Sequence, residues 1–274
     1  MIEVRRASFT YPGCAEPALR QVSLRLEAGE MVALVGPAGS GKSTLLYLLA
    51  GLAPGTVAGR LEGEVLLQGQ APARASRAWR ATHVGIVFSD PLVQLSGSCY
   101  SVREEVAWGL ENLAVPRPEM ERRVQRALDL LELGPLAERS PYALSSGQQQ
   151  RVALASVLAM EPPLLLLDEP ASTLDPQGAA SLGEAARAAA AAGHTVVWAT
   201  PSLDQAALCP RWLALQEGRL VYDGPADPEK APGCRPAPWT LLARQAVRRG
   251  LWSGPLPVTE EEALDTLARG KPGD

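Results

Sequence analysis

Cysteine is sparse in this chain of 274 residues, at positions 14, 99, 209 and 234, and no two cysteines form a C-x-x-C pair. That scatter argues against a zinc ribbon or a disulfide framework and leaves reduced, unrelated thiols. An excess of positive charge is missing as well. Lysine and arginine total 26 against 30 acidic residues, for a net charge of -4, so there is no electrostatic ground for expecting nucleic acid as a partner. No apolar run reaches the roughly 18 residues that span a bilayer; the longest, 152–167, is broken by Glu161-Pro162-Pro163. The opening MIEVRRASF has no apolar core of the signal-peptide kind. The expectation is a cytoplasmic chain that docks, if at all, on the inner face of a membrane through another protein. Internal repeats are absent. Histidine is scarce too, with only His83 and His194.

What is present is a globular composition, 46% hydrophobic and 20% charged, in a length that suits one large domain with an appendage. Strand-like stretches recur at residues 2–9, 22–26, 31–35, 64–67, 84–88, 164–167, 195–199, 212–215 and 219–222. Helical stretches lie between them, at 42–50, 119–133, 148–160 and 176–192. In the second of these, Val124, Ala127, Leu128 and Leu131 share a face. Strands alternating with helices predict an α/β fold with a mainly parallel sheet. Residues 98–160 contain little strand and predict an inserted helical subdomain. Proline and glycine cluster over 224–238, as in a linker, and two short helical stretches follow at 239–249 and 259–267.

The sequence GPAGSGKST, residues 36–44, fits G-x-x-x-x-G-K-[ST] between an apolar strand and an apolar helix. In that context the pattern is a phosphate-binding loop. Its residues Gly36, Pro37, Ala38, Gly39, Ser40 and Gly41 would curl backbone N–H groups around phosphate oxygens, and the helix N-terminus at Thr44 adds positive potential. Lys42 would reach the outer phosphates and Ser43 would hold Mg²⁺. The bland alternative is a glycine turn that binds nothing. A second strand, LLLLDEP (164–170), delivers carboxylates at its C-terminal end. Asp168 is placed to hold Mg²⁺ through water and Glu169 to polarise an attacking water; alone, such a strand could merely enter an acidic loop.

Together with LSSGQQQR (144–151), these motifs over residues 1–228 closely resemble the ATP-binding-cassette (ABC) ATPases. The resemblance implies a P-loop NTPase with a mainly parallel core sheet, an antiparallel β subdomain and an inserted helical subdomain, followed by a linker and small helical extension over 229–274. It implies a sandwich of two subunits around two ATP molecules. In it, Ser145, Gly147 and Gln148 would face the nucleotide held by a second ABC ATPase subunit. Ser146 stands where the family has glycine. The same residues also suit a plain helix cap at Ser145 or Ser146. STLD (172–175) resembles the loop that crosses the dimer interface, and Tyr11 resembles the aromatic that stacks on adenine.

VGIVFSDPLVQL and VREEVAWGLENLAVP are similar to the ATPase components of energy-coupling-factor importers of vitamins and metal ions, as is the tail WTLLARQAVRRGLWSGPLPVTEEEALDTL. This implies an integral-membrane coupling subunit and a substrate-binding membrane subunit as partners. The segment from residue 91 to 106 would dock the former, with Glu104 and Glu105 as charges whose reversal should spare nucleotide binding and impair transport.

Two family positions depart from the pattern. Ser89 stands where a glutamine reaches Mg²⁺ and the attacking water, and serine is too short for that reach; Gln94 could replace it only in a rearranged loop. Pro201 stands where Thr-His is expected, and both histidines precede that position. Proline offers neither donor nor charge. Neutral drift in an active enzyme is one reading. The sharper one is a weak site in this chain whose signature completes the competent site of a different ATPase, so that a heterodimer is favoured over a homodimer. The alternatives from other classes are a non-hydrolysing ATP-sensing module and a soluble ABC ATPase outside transport.

Overall fold

A computed structural model describes residues 1–252 and 254–269. Strands β1 (Ile2–Thr10) and β2 (Leu19–Leu26) pair antiparallel. β2 buries Leu19, Val22, Leu24 and Leu26 and exposes Gln21, Ser23 and Arg25, the alternation of a sheet with one covered face. The strand β3 (Met31–Val35) follows and feeds helix α1 (Lys42–Leu49). The strand β4 (Arg60–Leu67) then pairs with the other edge of β1, closing a three-stranded antiparallel sheet of order β2-β1-β4. Helix α2 (Arg77–His83) leads into β5 (Val84–Val87).

Next come α3 (Val102–Asn112), α4 (Arg117–Leu130) and α5 (Ser146–Ala159), with no strand among them. The chain continues through β6 (Leu164–Asp168), α6 (Pro176–Ala191), β7 (Thr195–Thr200) and the short α7 (Leu203–Ala206). It then passes through β8 (Arg211–Gln216) and β9 (Arg219–Pro225) and ends in α8 (Pro238–Arg248) and α9 (Glu260–Arg269). The second sheet has the order β5-β6-β7-β3-β8-β9, parallel throughout except for β9 against β8.

The inner strands β3, β6 and β7 are buried along their whole length, as parallel strands covered on both faces must be. Their side chains divide by period two between two cores. Met31, Ala33, Val35, Leu165, Leu167, Val196 and Trp198 join the core that holds α3 to α6. Val32, Leu34, Leu164, Leu166, Val197 and Ala199 join the core shared with α1 and the antiparallel sheet. The carboxyl ends of these inner strands carry the phosphate loop after β3, Asp168 at the end of β6 and Pro201 just past β7, where open α/β sheets place their ligands.

Several sequence expectations shift. The strand expected at 64–67 begins at Arg60, because pairing with β1 extends through Thr10↔Arg60 although Arg60, Glu62 and Glu64 are polar. Helix α2 was not anticipated: it buries no side chain and so leaves no apolar stripe to read. The segment 224–238 is not a free linker. It runs back over the sheet, where Ala231 is buried and Ala226 and Cys234 pack on the core. The extension anticipated through residue 274 includes Ser253 and residues 270–274, which lie outside the described residues.

Candidate functional site

The loop after β3 needs its glycines for space as much as for rotation. A Cβ on Gly36 would lie 2.4 Å from the Leu215 carbonyl oxygen, and one on Gly41, where φ is +103°, would lie 2.8 Å from the carbonyl oxygen of Ala18. The Pro37 carbonyl accepts from the Ser40 N–H at 3.2 Å, and the Gly41 carbonyl accepts the first helical bond, from Leu45. Lys42 is almost fully buried and donates to the carbonyls of Gly36 at 2.9 Å and Pro37 at 3.1 Å. Among the described residues the buried Ser40 hydroxyl has no hydrogen-bond partner. Buried polar atoms are nearly always satisfied, so this loop has a place for an acceptor such as a phosphate oxygen. Pro37, Ala38 and Gly39 form the rim of the same turn.

Five further side chains converge here. The Ser43 hydroxyl donates to Asp168 at 3.1 Å. Glu169 lies 3.5 Å from the Lys42 ammonium and holds φ at +48°, a left-handed conformation that costs a non-glycine residue energy and recurs at functional sites; its N–H donates to the Ala199 carbonyl. Burial raises the Asp168 pKa above the ordinary carboxylate value and the Glu169 charge adds to this, while the Ser43 hydrogen bond and Lys42 oppose it. The Tyr11 hydroxyl meets the Thr44 hydroxyl at 3.0 Å, and its ring stands edge-on to Phe9 with centroids 5.0 Å apart. Among the described residues no group of three or more His, Cys, Asp or Glu is placed to hold a metal ion. The oxygen pair Ser43–Asp168 instead suits Mg²⁺, which takes few protein ligands and shares its sphere with water and phosphate.

Ser145, Gly147 and Gln148 are elsewhere. Ser145 is the N-cap of α5: its hydroxyl accepts from the Gln148 N–H at 3.3 Å, and the Gln148 side chain accepts from the Ser145 N–H at 3.0 Å. This capping box sets the helix start at Ser146, two residues before the predicted start. These residues line an open cleft of about 400 Å³ with Thr173, Leu174 and Asp175. No residue of the phosphate loop lines that cleft.

The departures from the pattern have physical consequences. Gln94 is not free to replace the missing glutamine, since its amide accepts from the Phe88 N–H at 3.2 Å and donates to the Ile86 carbonyl at 3.1 Å. Gln150, which no motif singles out, is fully buried on α5 and donates to the Phe88 carbonyl at 2.9 Å. Both backbone polar groups of Phe88, next to Ser89, are therefore held by glutamine side chains. A buried glutamine inside a helix was the available signal. His83 stacks on Trp79 at 4.1 Å, and His194 pairs with the Pro162 carbonyl. The Pro201 carbonyl accepts from the Arg235 N–H at 2.8 Å, a contact no sequence pattern announces.

Glu104 and Glu105 are not free docking charges. The Glu104 carboxylate accepts from the N–H groups of Tyr100 and Ser101 in a second capping box. Glu105 is buried and accepts from the N–H and the hydroxyl of Ser96. Charge reversal at the buried Glu105 would break the local fold, and at the exposed Glu104 it would cost α3 its capping box. The large apolar side chains exposed on this segment are Leu92, Val93 and Tyr100, with Trp108 just beyond it.

The sequence profile of the family described as ABC transporter matches residues 19–172. The chain belongs to the ABC transporter ATP-binding family. It is 39% identical over 236 residues to the energy-coupling factor transporter ATP-binding protein EcfA1 of Enterococcus faecalis, covering 84% of this chain and 80% of that protein. Among solved structures, CbiO1 from Clostridium perfringens, part of the ABC transporter complex cbiONQ, superposes with a TM-score of 0.73 at 30% identity, over 91% of this chain and 93% of its own. The dimeric cassette MJ0796, in a post-hydrolysis state bound to ADP and Pi, gives 0.72 at 29% identity, over 82% and 99%. The chain spans less than two thirds of the length of the first curated relatives it matches, 63% in the case of one from Pyrococcus abyssi. An ABC cassette with energy-coupling-factor relatives is thus the family frame of the site described above. Among the described residues no helix is long and apolar enough to cross a membrane.

Proposed function

We propose that this chain is the ATP-binding subunit of an importer of the energy-coupling-factor type, which takes up a vitamin, vitamin precursor or metal ion. The observation that carries the reading is the division of the cassette's parts within one chain. Lys42, Ser43, Asp168 and Glu169 meet at the phosphate loop, while the capped signature helix opens on a different cleft. A signature turned away from its own loop has its use in a second ATPase subunit. Its helix N-terminus and the Gly147 N–H would then meet the γ-phosphate held by that partner.

In the chain's own site, the loop amides and Lys42 bind the phosphates, Tyr11 stacks on the base, and Ser43 with Asp168 would hold Mg²⁺, which neutralises phosphate charge when bound. Glu169 would orient water as the base. Ser89 and Pro201 leave this site short of two groups that address the γ-phosphate, so it is hydrolytically weak, and the competent site belongs to a different partner subunit. That favours a heterodimer, peripheral on the inner face of the cell membrane, with a coupling subunit and a substrate-binding subunit in the bilayer. The second reading, a non-hydrolysing ATP-sensing module, is favoured by the same two positions. It predicts tight ATP binding with no turnover even beside a partner ATPase.

The basic test is calorimetric. Lys42→Ala removes a charge-assisted contact worth about 1.5–3 kcal/mol, so ATP affinity should fall by roughly tenfold or more; unchanged affinity refutes the phosphate-site assignment. Docking is tested on the apolar surface. Val93→Asp with Tyr100→Ala alters only exposed side chains and should leave ATP affinity unchanged while lowering co-purification with membrane subunits. Unimpaired co-purification would remove residues 91–106 from the interface.

A further inference from the structure

The stretch between β9 and α8 crosses two corners of the phosphate site. Ser202 and Arg235 form a parallel bridge: Arg235 N–H donates to the Pro201 carbonyl at 2.8 Å, and Leu203 N–H donates to the Arg235 carbonyl at 2.9 Å. Proline has no N–H, so Arg235 engages the backbone polar group that Pro201 does have. One residue earlier, Cys234 is half-buried against the core; burial pushes its thiol up to about 11, while the Lys42 charge and a hydrogen bond from the Gly36 backbone oppose that rise. Gly233, at φ +74°, lies against Pro37, and a Cβ there would come within 3.2 Å of the Pro37 ring. Ala231 is buried in the core below, and Ala237, just ahead of α8, is 1% exposed. Residues 231–237 thus form a strap from the start of the phosphate loop, across the end of β7, to the C-terminal helices.

We propose that this strap is an autoinhibitory contact: docked, it holds the phosphate loop in its empty arrangement, and nucleotide binding releases it and with it the α8–α9 pair. The inference rests on the nucleotide reading above. Its physical basis is the position of Lys42. In the docked arrangement the ammonium donates to the carbonyls of Gly36 and Pro37, the two residues on which Cys234 and Gly233 rest. A bound triphosphate draws the lysine to its β- and γ-oxygens. The two carbonyls lose that donor, and the loop's opening residues shift beneath the strap. Linkage then requires the reverse effect: a docked strap lowers nucleotide affinity by the factor with which nucleotide disfavours docking.

The test uses the intact chain. Thiols are alkylated with iodoacetamide and read one by one by peptide mapping, without nucleotide and with Mg²⁺ plus a non-hydrolysable ATP analogue. Calorimetry on the same sample reports binding. Cys234 should label about tenfold faster once the analogue is bound, while the buried Cys209 stays unlabelled in both states. Gly233→Val, which unseats the strap from Pro37, should raise affinity for the analogue by about the same factor. Binding that leaves Cys234 labelling unchanged or slower overturns the strap, as does weaker binding by Gly233→Val with Cys209 still protected. If Cys209 labels in the variant, the variant has unfolded and the wild-type labelling decides. Absence of any binding in the calorimeter overturns the nucleotide reading itself, and the strap with it.

Discussion

Purified alone, the chain should hydrolyse ATP about 10²–10³-fold more slowly than a cassette with every polar group in place, since one missing acid–base or electrostatic group costs that much. The loop and the carboxylates are not the reason: Ser43 is hydrogen-bonded to Asp168 and Lys42 is within ion-pairing reach of Glu169. On the reading proposed above, the expected deficit lies at two strand ends. After β5, Ser89 is too short to reach the attacking water, and the Gln94 amide is tied to the backbone of Phe88 and Ile86. After β7, Pro201 supplies no side-chain donor and its carbonyl is bonded to Arg235. Steady-state turnover of about 1 s⁻¹ or more, ordinary for an enzyme, would refute the degenerate-site reading. Ser89→Gln with Pro201→His should restore part of the rate. The histidine enters a corner whose backbone is bridged to the strap, so its ring direction is set by Arg235 as well as by β7, and full recovery is not expected.

The strands and the phosphate loop were legible because their physics is local. Met31–Val35 is a short apolar run ended by glycine, and its burial on both faces follows from its composition. Asp168 and Glu169 end another such run, which puts them at the carboxyl edge of the sheet. The capping box at Ser145 was half legible: the sequence allowed either Ser145 or Ser146, and the reciprocal bond with Gln148 decides for the former. What could not be read were contacts between distant segments. Glu104 and Glu105 look like free helix charges, yet Glu105 is buried on Ser96 and Glu104 is held by the N–H groups at the start of α3. The residues around Gly233 resemble a linker because proline and glycine dominate. What holds them in place is contact with Pro37 and Pro201, far away in sequence.

In a mixture with its proper partner ATPase, Ser145→Arg should lower total ATPase by at least about 10²-fold, the effect of removing a positioned donor from a phosphoryl-transfer site. Glu169→Gln in the same mixture should change it little. The contrast follows from where the two residues sit. Glu169 lies at the phosphate loop of its own chain, 3.5 Å from Lys42, in the site proposed to be hydrolytically weak. Ser145 opens α5 on the separate cleft shared with Thr173 and Asp175. There the partner's nucleotide would meet the helix N-terminus. Arginine at position 145 removes the hydroxyl that caps the Gln148 N–H, which costs about 1 kcal/mol of helix stability, and it fills the cleft with a long side chain. The cap loss alone is too small to unfold a chain of this size, so circular dichroism should be unchanged while turnover collapses. A Glu169→Gln mixture that loses as much activity as the Ser145→Arg mixture would show that this chain's own site is the one that turns over.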